Sequence, residues 1–223
     1  TSGKHTPFTK TSNRGAHLSM TSMETLLATS FEKKFSDFVG DVEITKIKNS
    51  VFEKYDMTLL SSIKDFEKFQ LITGQVMGGG GTPMIKKTLE SICSLESKSE
   101  HVVEIKDESI KNAILASFED DVKKQILDIA FDYPLTIWEI ASRTNIEPGI
   151  ISENISYLIS HGLLATNDLQ DSEHNKKYCS VIDNFSVKTE GDEFHMYVTI
   201  NEITNSDPLK IIASPYKTII NNN

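Results

Sequence analysis

Residues 134–164 read PLTIWEIASRTNIEPGIISENISYLISHGLL. Thr136 followed three residues on by Glu139 has the spacing in which a hydroxyl and a carboxylate each satisfy a backbone N–H at a helix start. A short helix is therefore predicted over Ile137 to Arg143, burying Ile137, Ile140 and Ala141, with a tight turn at Thr144 to Glu147. Pro148 suits a first helical position, where a missing N–H costs nothing, and opens a second helix. At about 100° per residue, its Ile151, Ile155, Leu158 and Ile159 fall within about a quarter turn, and Gly162 ends it. Two short helices joined by so brief a turn hold the second one rigidly, as insertion into a nucleic-acid groove requires.

The flanks extend this unit. Ser117 with Asp120 predicts the start of an earlier helix that buries Val122, Ile126, Leu127 and Ile129 and ends around Phe131 to Pro134. Leu163 to Thr166 and Tyr178 to Ile182 flank a polar tip, Asn167 to Lys177, as strands of a hairpin would. Val181, Phe185 and Val187, then Phe194, Met196, Val198 and Ile200, alternate around Glu190-Gly191-Asp192 and predict a second hairpin.

These elements together resemble the archaeal ArsR/MarR-like winged helix-turn-helix transcription regulators over residues 105–205, the second hairpin being an extra C-terminal one. The resemblance implies an α+β chain that is a DNA-binding transcriptional regulator rather than an enzyme, with no cofactor and no metal. It also implies that Gly149, Ile150, Ser152, Glu153, Ser156 and Tyr157 of the third helix face double-stranded DNA, with Lys176 and Lys177 of the wing beside them. Related reading helices carry arginine or lysine near the positions of Glu153 and Asn154, whereas this one has no basic residue from Glu147 to Ser160.

Charge sharpens that departure. The chain has 223 residues, 23 basic against 32 acidic, and a net charge of −9, the wrong sign for a protein that grips nucleic acid over its whole surface. Residues 119–188 hold twelve acidic and six basic side chains, and the wing itself sets Asp168, Asp171 and Glu173 against Lys176 and Lys177. Phosphate neutralisation supplies most nonspecific affinity, so any DNA binding is expected to be weak and strongly salt-sensitive. The alternative from a different class is an acidic winged-helix module that docks another protein and does not bind DNA.

Upstream, residues 1–22 are polar, without a hydrophobic period, and are expected to be a tail outside the fold. From Met23, Leu27, Phe31, Phe35 and Phe38 form the stripe of an amphipathic helix stopped near Gly40. Ile44, Ile47, Val51 and Tyr55 give a second stripe, and Leu59 to Ile72 a third, capped by Thr58. After Gly78 to Gly81, Thr82 as N-cap and Pro83 at the first position predict a fourth helix that buries Ile85, Leu89, Ile92 and Cys93. Residues 23–98 thus form a helical bundle expected to sense a signal or make a homodimer, joined through Leu95 to Ser99 to a short apolar piece at Val102, Val103 and Ile105. Residues 206–223 form a C-terminal segment.

Other chemistries find little footing. The four glycines at 78–81 are followed by Thr82-Pro83-Met84 rather than by the lysine a phosphate loop needs. Cys93 and Cys179 lie far apart and outside any ligand spacing, and His101, His161, His174 and His195 share no spacing with them or with one another. No nucleophile–base pair falls on adjoining elements. No apolar run reaches the roughly 18 residues needed to span a bilayer, and no apolar stretch follows the N-terminal Lys4, Lys10 and Arg14, which points to a cytoplasmic protein. Trp138, the sole tryptophan, is expected to pack within its short helix.

Overall fold

A computed structural model describes residues 22–95, 102–166 and 176–200. It combines helices with an antiparallel four-stranded sheet, an α+β arrangement. Among the described residues no helix is long and apolar enough to cross a membrane.

The N-terminal helices are α1 (Ser22–Val39), α2 (Asp41–Tyr55), α3 (Leu59–Lys64), α4 (Phe66–Met77) and α5 (Gly81–Glu90). Gly40, at φ 83°, separates the first two in a left-handed conformation that favours glycine. Phe31 and Phe35 of α1 meet Phe66 and Phe69 of α4 in a four-ring cluster, with centroid separations of 5.1 to 5.9 Å. Such rings attract edge to face beyond the area they bury, and all four are fully or nearly fully buried.

Two expectations here need correction. The stripe from Leu59 to Ile72 is not one helix: Asp65 leaves helical geometry at ψ 74°, so α3 and α4 are separate, and Thr58 caps only α3 by accepting from Ser61 N. Nor does Thr82 cap α5, which already begins at Gly81 after a 3-10 turn over Gly78–Gly80. Gly81 is buried, and a Cβ there would lie 3.0 Å from the Thr73 carbonyl oxygen, so the last glycine serves close approach of α5 to α4.

Strand β1 (Cys93–Leu95) pairs antiparallel with β2 (Val102–Ile105), and α6 (Glu108–Glu119) follows. The remaining helices are α7 (Asp121–Ile129), α8 (Ile137–Thr144) and α9 (Pro148–Ser160); the remaining strands are β3 (Leu164–Thr166), β4 (Tyr178–Ser180), β5 (Ile182–Glu190) and β6 (Glu193–Ile200). The large sheet has the order β1-β2-β6-β5, and β3 pairs with β4 separately. The second hairpin expected from sequence, β5–β6, is therefore not an appendage: β6 is zipped to β2 from Val102 opposite Thr199 to Ile105 opposite Met196. The boundary expected near residue 100 falls between two paired strands, and Leu95, assigned to a linker, belongs to β1.

Ser117 does not open a helix. It lies buried inside α6, donating to the Ala113 carbonyl, and α6 begins instead behind Asp107, which accepts from Ser109 N and Ile110 N. Asp120 alone caps α7, accepting from Val122 N and Lys123 N. Asp107 also ties the halves of the chain together. Its carboxylate accepts from Ser30 of α1 at 2.9 Å and pairs with Lys34 of α1 at 2.9 Å, and Lys34 donates onward to the Ser91 carbonyl. On one face of the sheet, Cys93, Val103, Ile105, Met196 and Val198 are buried. A single cluster of buried residues runs from Leu26 through the sheet to the α7–α9 unit.

Candidate nucleic-acid interface

Helix α8 starts as its residues demand: Thr136 accepts from Glu139 N, and Glu139 accepts from Thr136 N at 2.7 Å. Asn145 ends it in the left-handed region at φ 56°. Pro148 opens α9, whose Ile151, Ile155 and Leu158 are buried against α7 and α8. Gly162, at φ 72°, closes the far end: its amide donates to Ile159, and a Cβ there would sit 2.4 Å from the Thr25 carbonyl oxygen of α1. Helix α9 is thus anchored by proline at one end and locked against α1 at the other.

Five of the residues expected to face DNA, Gly149, Ile150, Ser152, Glu153 and Ser156, are exposed on α9. At about 100° per residue, all but Ile150 share one outward arc with Ser160, while Ile150 lies on its flank. The arc is made of small side chains around one carboxylate. The Ser156 hydroxyl donates to the Ser152 carbonyl and Ser160 to Tyr157, so both donors are turned back onto their own helix.

Tyr157 sits elsewhere. It is half-buried, stacked on His161 at a centroid distance of 4.1 Å, with Lys123 of α7 4.9 Å from its ring centre. Lys123 also pairs with Asp120 at 2.7 Å, which helps hold that carboxyl below its usual range. His161 is exposed, its Nδ1 2.9 Å from the Tyr157 carbonyl oxygen.

The other two residues lie at the base of the β3–β4 hairpin, beside the start of α8 rather than on α9. Leu135, between α7 and α8, forms a β-bridge to Tyr178 with reciprocal backbone hydrogen bonds of 2.9 and 2.8 Å. This brings Lys177, exposed, and Lys176, half-buried, to that point. The Glu139 carboxyl is held below its usual range, first by the amide and hydroxyl of Thr136, and further by the positive charges of Lys177 and Arg143. The tip of the hairpin, with Asp168, Asp171, Glu173 and His174, lies outside the described residues, as does His101.

Two features escaped the sequence reading. Arg143, exposed on the last turn of α8, joins Lys177 near Glu139, and its position after an apolar stripe was the available signal. Trp138 is 62% exposed rather than packed, with Tyr133 at 63% nearby in sequence. The helical period left this open, because Trp138 lies about 160° from buried Ile140 but only about 60° from buried Ala141.

On the sheet, His195 is half-buried, with Nδ1 2.7 Å from Glu104 and Nε2 3.6 Å from Glu193. Glu104 also accepts from Ser94. Among the described residues no three potential ligands gather as a metal site. Cys93 is buried, and burial pushes its thiol up to about 12. The chain matches no protein-family model, no curated protein and no solved structure.

Proposed function

We propose that the chain is a transcriptional regulator that binds double-stranded DNA through a winged helix-turn-helix formed by α7, α8, α9 and the β3–β4 hairpin, acting as a homodimer with its N-terminal helices in sensing or association. The observation that carries this reading is the way α9 is presented. Its outward arc is solvent-exposed over three turns, while Pro148, Gly162 and the buried Ile151, Ile155 and Leu158 hold the helix fixed. The Leu135–Tyr178 bridge ties the base of the hairpin to the start of α8, which brings Lys177 near Glu139 and Arg143 as cations for passing phosphates. Small residues on the arc allow α9 to approach a groove closely, and the nearby cations supply the attraction its own surface lacks.

Titration with genomic DNA fragments at low and at physiological salt tests this. Retention that falls steeply with salt is the expected result, and no retention of any fragment even at low salt ends the proposal.

A second reading has its own observation. Trp138 and Tyr133 are large, exposed aromatic side chains, a residue type enriched at protein interfaces, and the α9 arc carries only a negative charge. An acidic module of this kind docks a protein rather than DNA. A partner retained in pull-downs after nuclease treatment, and lost on Trp138→Ala, favours this reading; one that disappears with nuclease favours DNA.

A further inference from the structure

The outer surface of α9 is one-sided in its hydrogen bonding. The Asn154 side-chain amide donates to the Ile150 carbonyl at 2.8 Å, the Ser156 hydroxyl to the Ser152 carbonyl at 2.9 Å and the Ser160 hydroxyl to the Tyr157 carbonyl at 2.7 Å. Three polar side chains thus turn donors back onto their own helix, and the hydroxyls leave acceptor oxygen to the outside. No lysine or arginine supplies donors between Glu147 and Ser160.

Midway along the arc stands Glu153, exposed, whose ionised side chain can only accept. Gly149, four residues before it, and Ser156, three after, are too small to shield it. The other residues at those spacings, Ile150 and Tyr157, are not cations either, so no ion pair along the helix neutralises it. Glu153 therefore projects its charge from the middle of a helix that Pro148 and Gly162 hold fixed.

In a major groove such a side chain has one good partner. Guanine presents acceptors at N7 and O6 and thymine one at O4, all of which repel a carboxylate. Adenine sets its N6 donor beside the N7 acceptor, whereas the edge of cytosine offers the N4 amino donor with no acceptor of its own. Attraction to one base and repulsion from the others both add to discrimination. We infer that Glu153 reads a cytosine, its carboxylate accepting from the N4 amino group, so that the charge which weakens nonspecific binding selects the site. This role rests on α9 entering a groove as proposed above, and it names the base that the helix recognises there.

The test begins with selection of duplexes from a randomised library by the full chain at low salt, followed by affinity measurements on the recovered sequence. Cytosine should dominate at one position of the recovered sites. Replacing that cytosine by pyrimidin-2-one, which still pairs with guanine but lacks the N4 amino group, should weaken binding about tenfold, and Glu153→Ala should be indifferent to the replacement. Glu153→Ala should also hold random-sequence duplex more tightly, since one repelling charge is gone, a gain that a damaged fold would not give. Glu153→Gln, whose carboxamide both donates and accepts, should move the preference at that position towards adenine. Retention of duplex without a cytosine preference, or a preference that Glu153→Ala leaves intact, overturns the role of Glu153 while the DNA-binding reading stands; no retention of any duplex at low salt ends both.

Discussion

Asp107 is the residue on which the chain's two halves most visibly depend. Burial alone would raise its carboxyl, but hydrogen bonds from Lys34, Ser30 and the Ile110 amide outweigh that and hold it below its usual range. A carboxyl whose folded value is depressed contributes stability above its unfolded value, near 4, and loses it as pH falls through the folded value. Glu104, held down first by His195, acts with the same sign. Stability should therefore decline from about pH 4 downward, and Asp107→Asn should flatten that part of a stability profile measured by urea melts. Asp107→Ala removes both the α6 cap and the partner of Lys34, and should cost about 2 to 4 kcal/mol. An acid profile identical to that of the parent would show that Asp107 is not the group responsible. Gly162 makes a complementary prediction. Alanine there meets both a left-handed backbone and a carbonyl oxygen 2.4 Å away, so Gly162→Ala should destabilise by about 2 kcal/mol or more, read as a lowered Tm. A change within about 0.5 kcal/mol would mean that α1 does not press on the end of α9.

At the scale of elements, α9 invites a direct test of what its outward arc faces. Glu153→Arg changes one exposed charge by two units without touching the buried Ile151, Ile155 or Leu158. Against a DNA groove it should raise nonspecific affinity by about 3- to 10-fold near 100 mM salt and steepen the salt dependence by roughly one phosphate contact. Fluorescence anisotropy with a duplex probe reads both, and an unchanged affinity would remove α9 from the interface. The elements themselves were legible where local chemistry acts alone. Thr136 and Glu139, Pro148 and Gly162 mark their helix ends because caps, rings and positive φ depend on immediate neighbours. Helix α6 was missed because Ser117 and Asp120 offered a plausible cap spacing, while the working cap, Asp107, is followed by Ile110 where a carboxylate would complete the reciprocal pair. The α3–α4 break was hidden for a similar reason: the apolar stripe continues across Asp65, and only tertiary packing turns the chain there.

For the whole molecule, the decisive feature is that the sheet crosses the middle of the chain. A length of 223 residues suits one domain with a good core or two small ones, and two was the expectation. Strand pairing between residues distant in sequence leaves almost no local trace, so the pairing of β2 with β6 could not be read from alternation in either. Its consequence is energetic. Cutting near residue 100 would strip β1 from β2, expose Val103 and Ile105, and take Ser30 and Lys34 from Asp107. Each half would also uncover its share of the common buried cluster. The intact chain should therefore melt in one cooperative transition, with helical circular dichroism and hydrogen exchange at the two inner strands of the sheet, Val102–Ile105 and Glu193–Ile200, reporting the same midpoint. A fragment beginning at residue 102 should lose that cooperativity, despite containing every helix and hairpin assigned to DNA binding. Two resolved transitions in the full chain, or a fragment that melts as sharply as the parent, would mean that the β2–β6 pairing holds together two bodies that fold alone. In the one-body case, any signal that shifts α1 also moves the Thr25–Gly162 contact at the end of α9, so sensing and reading need no linker between them.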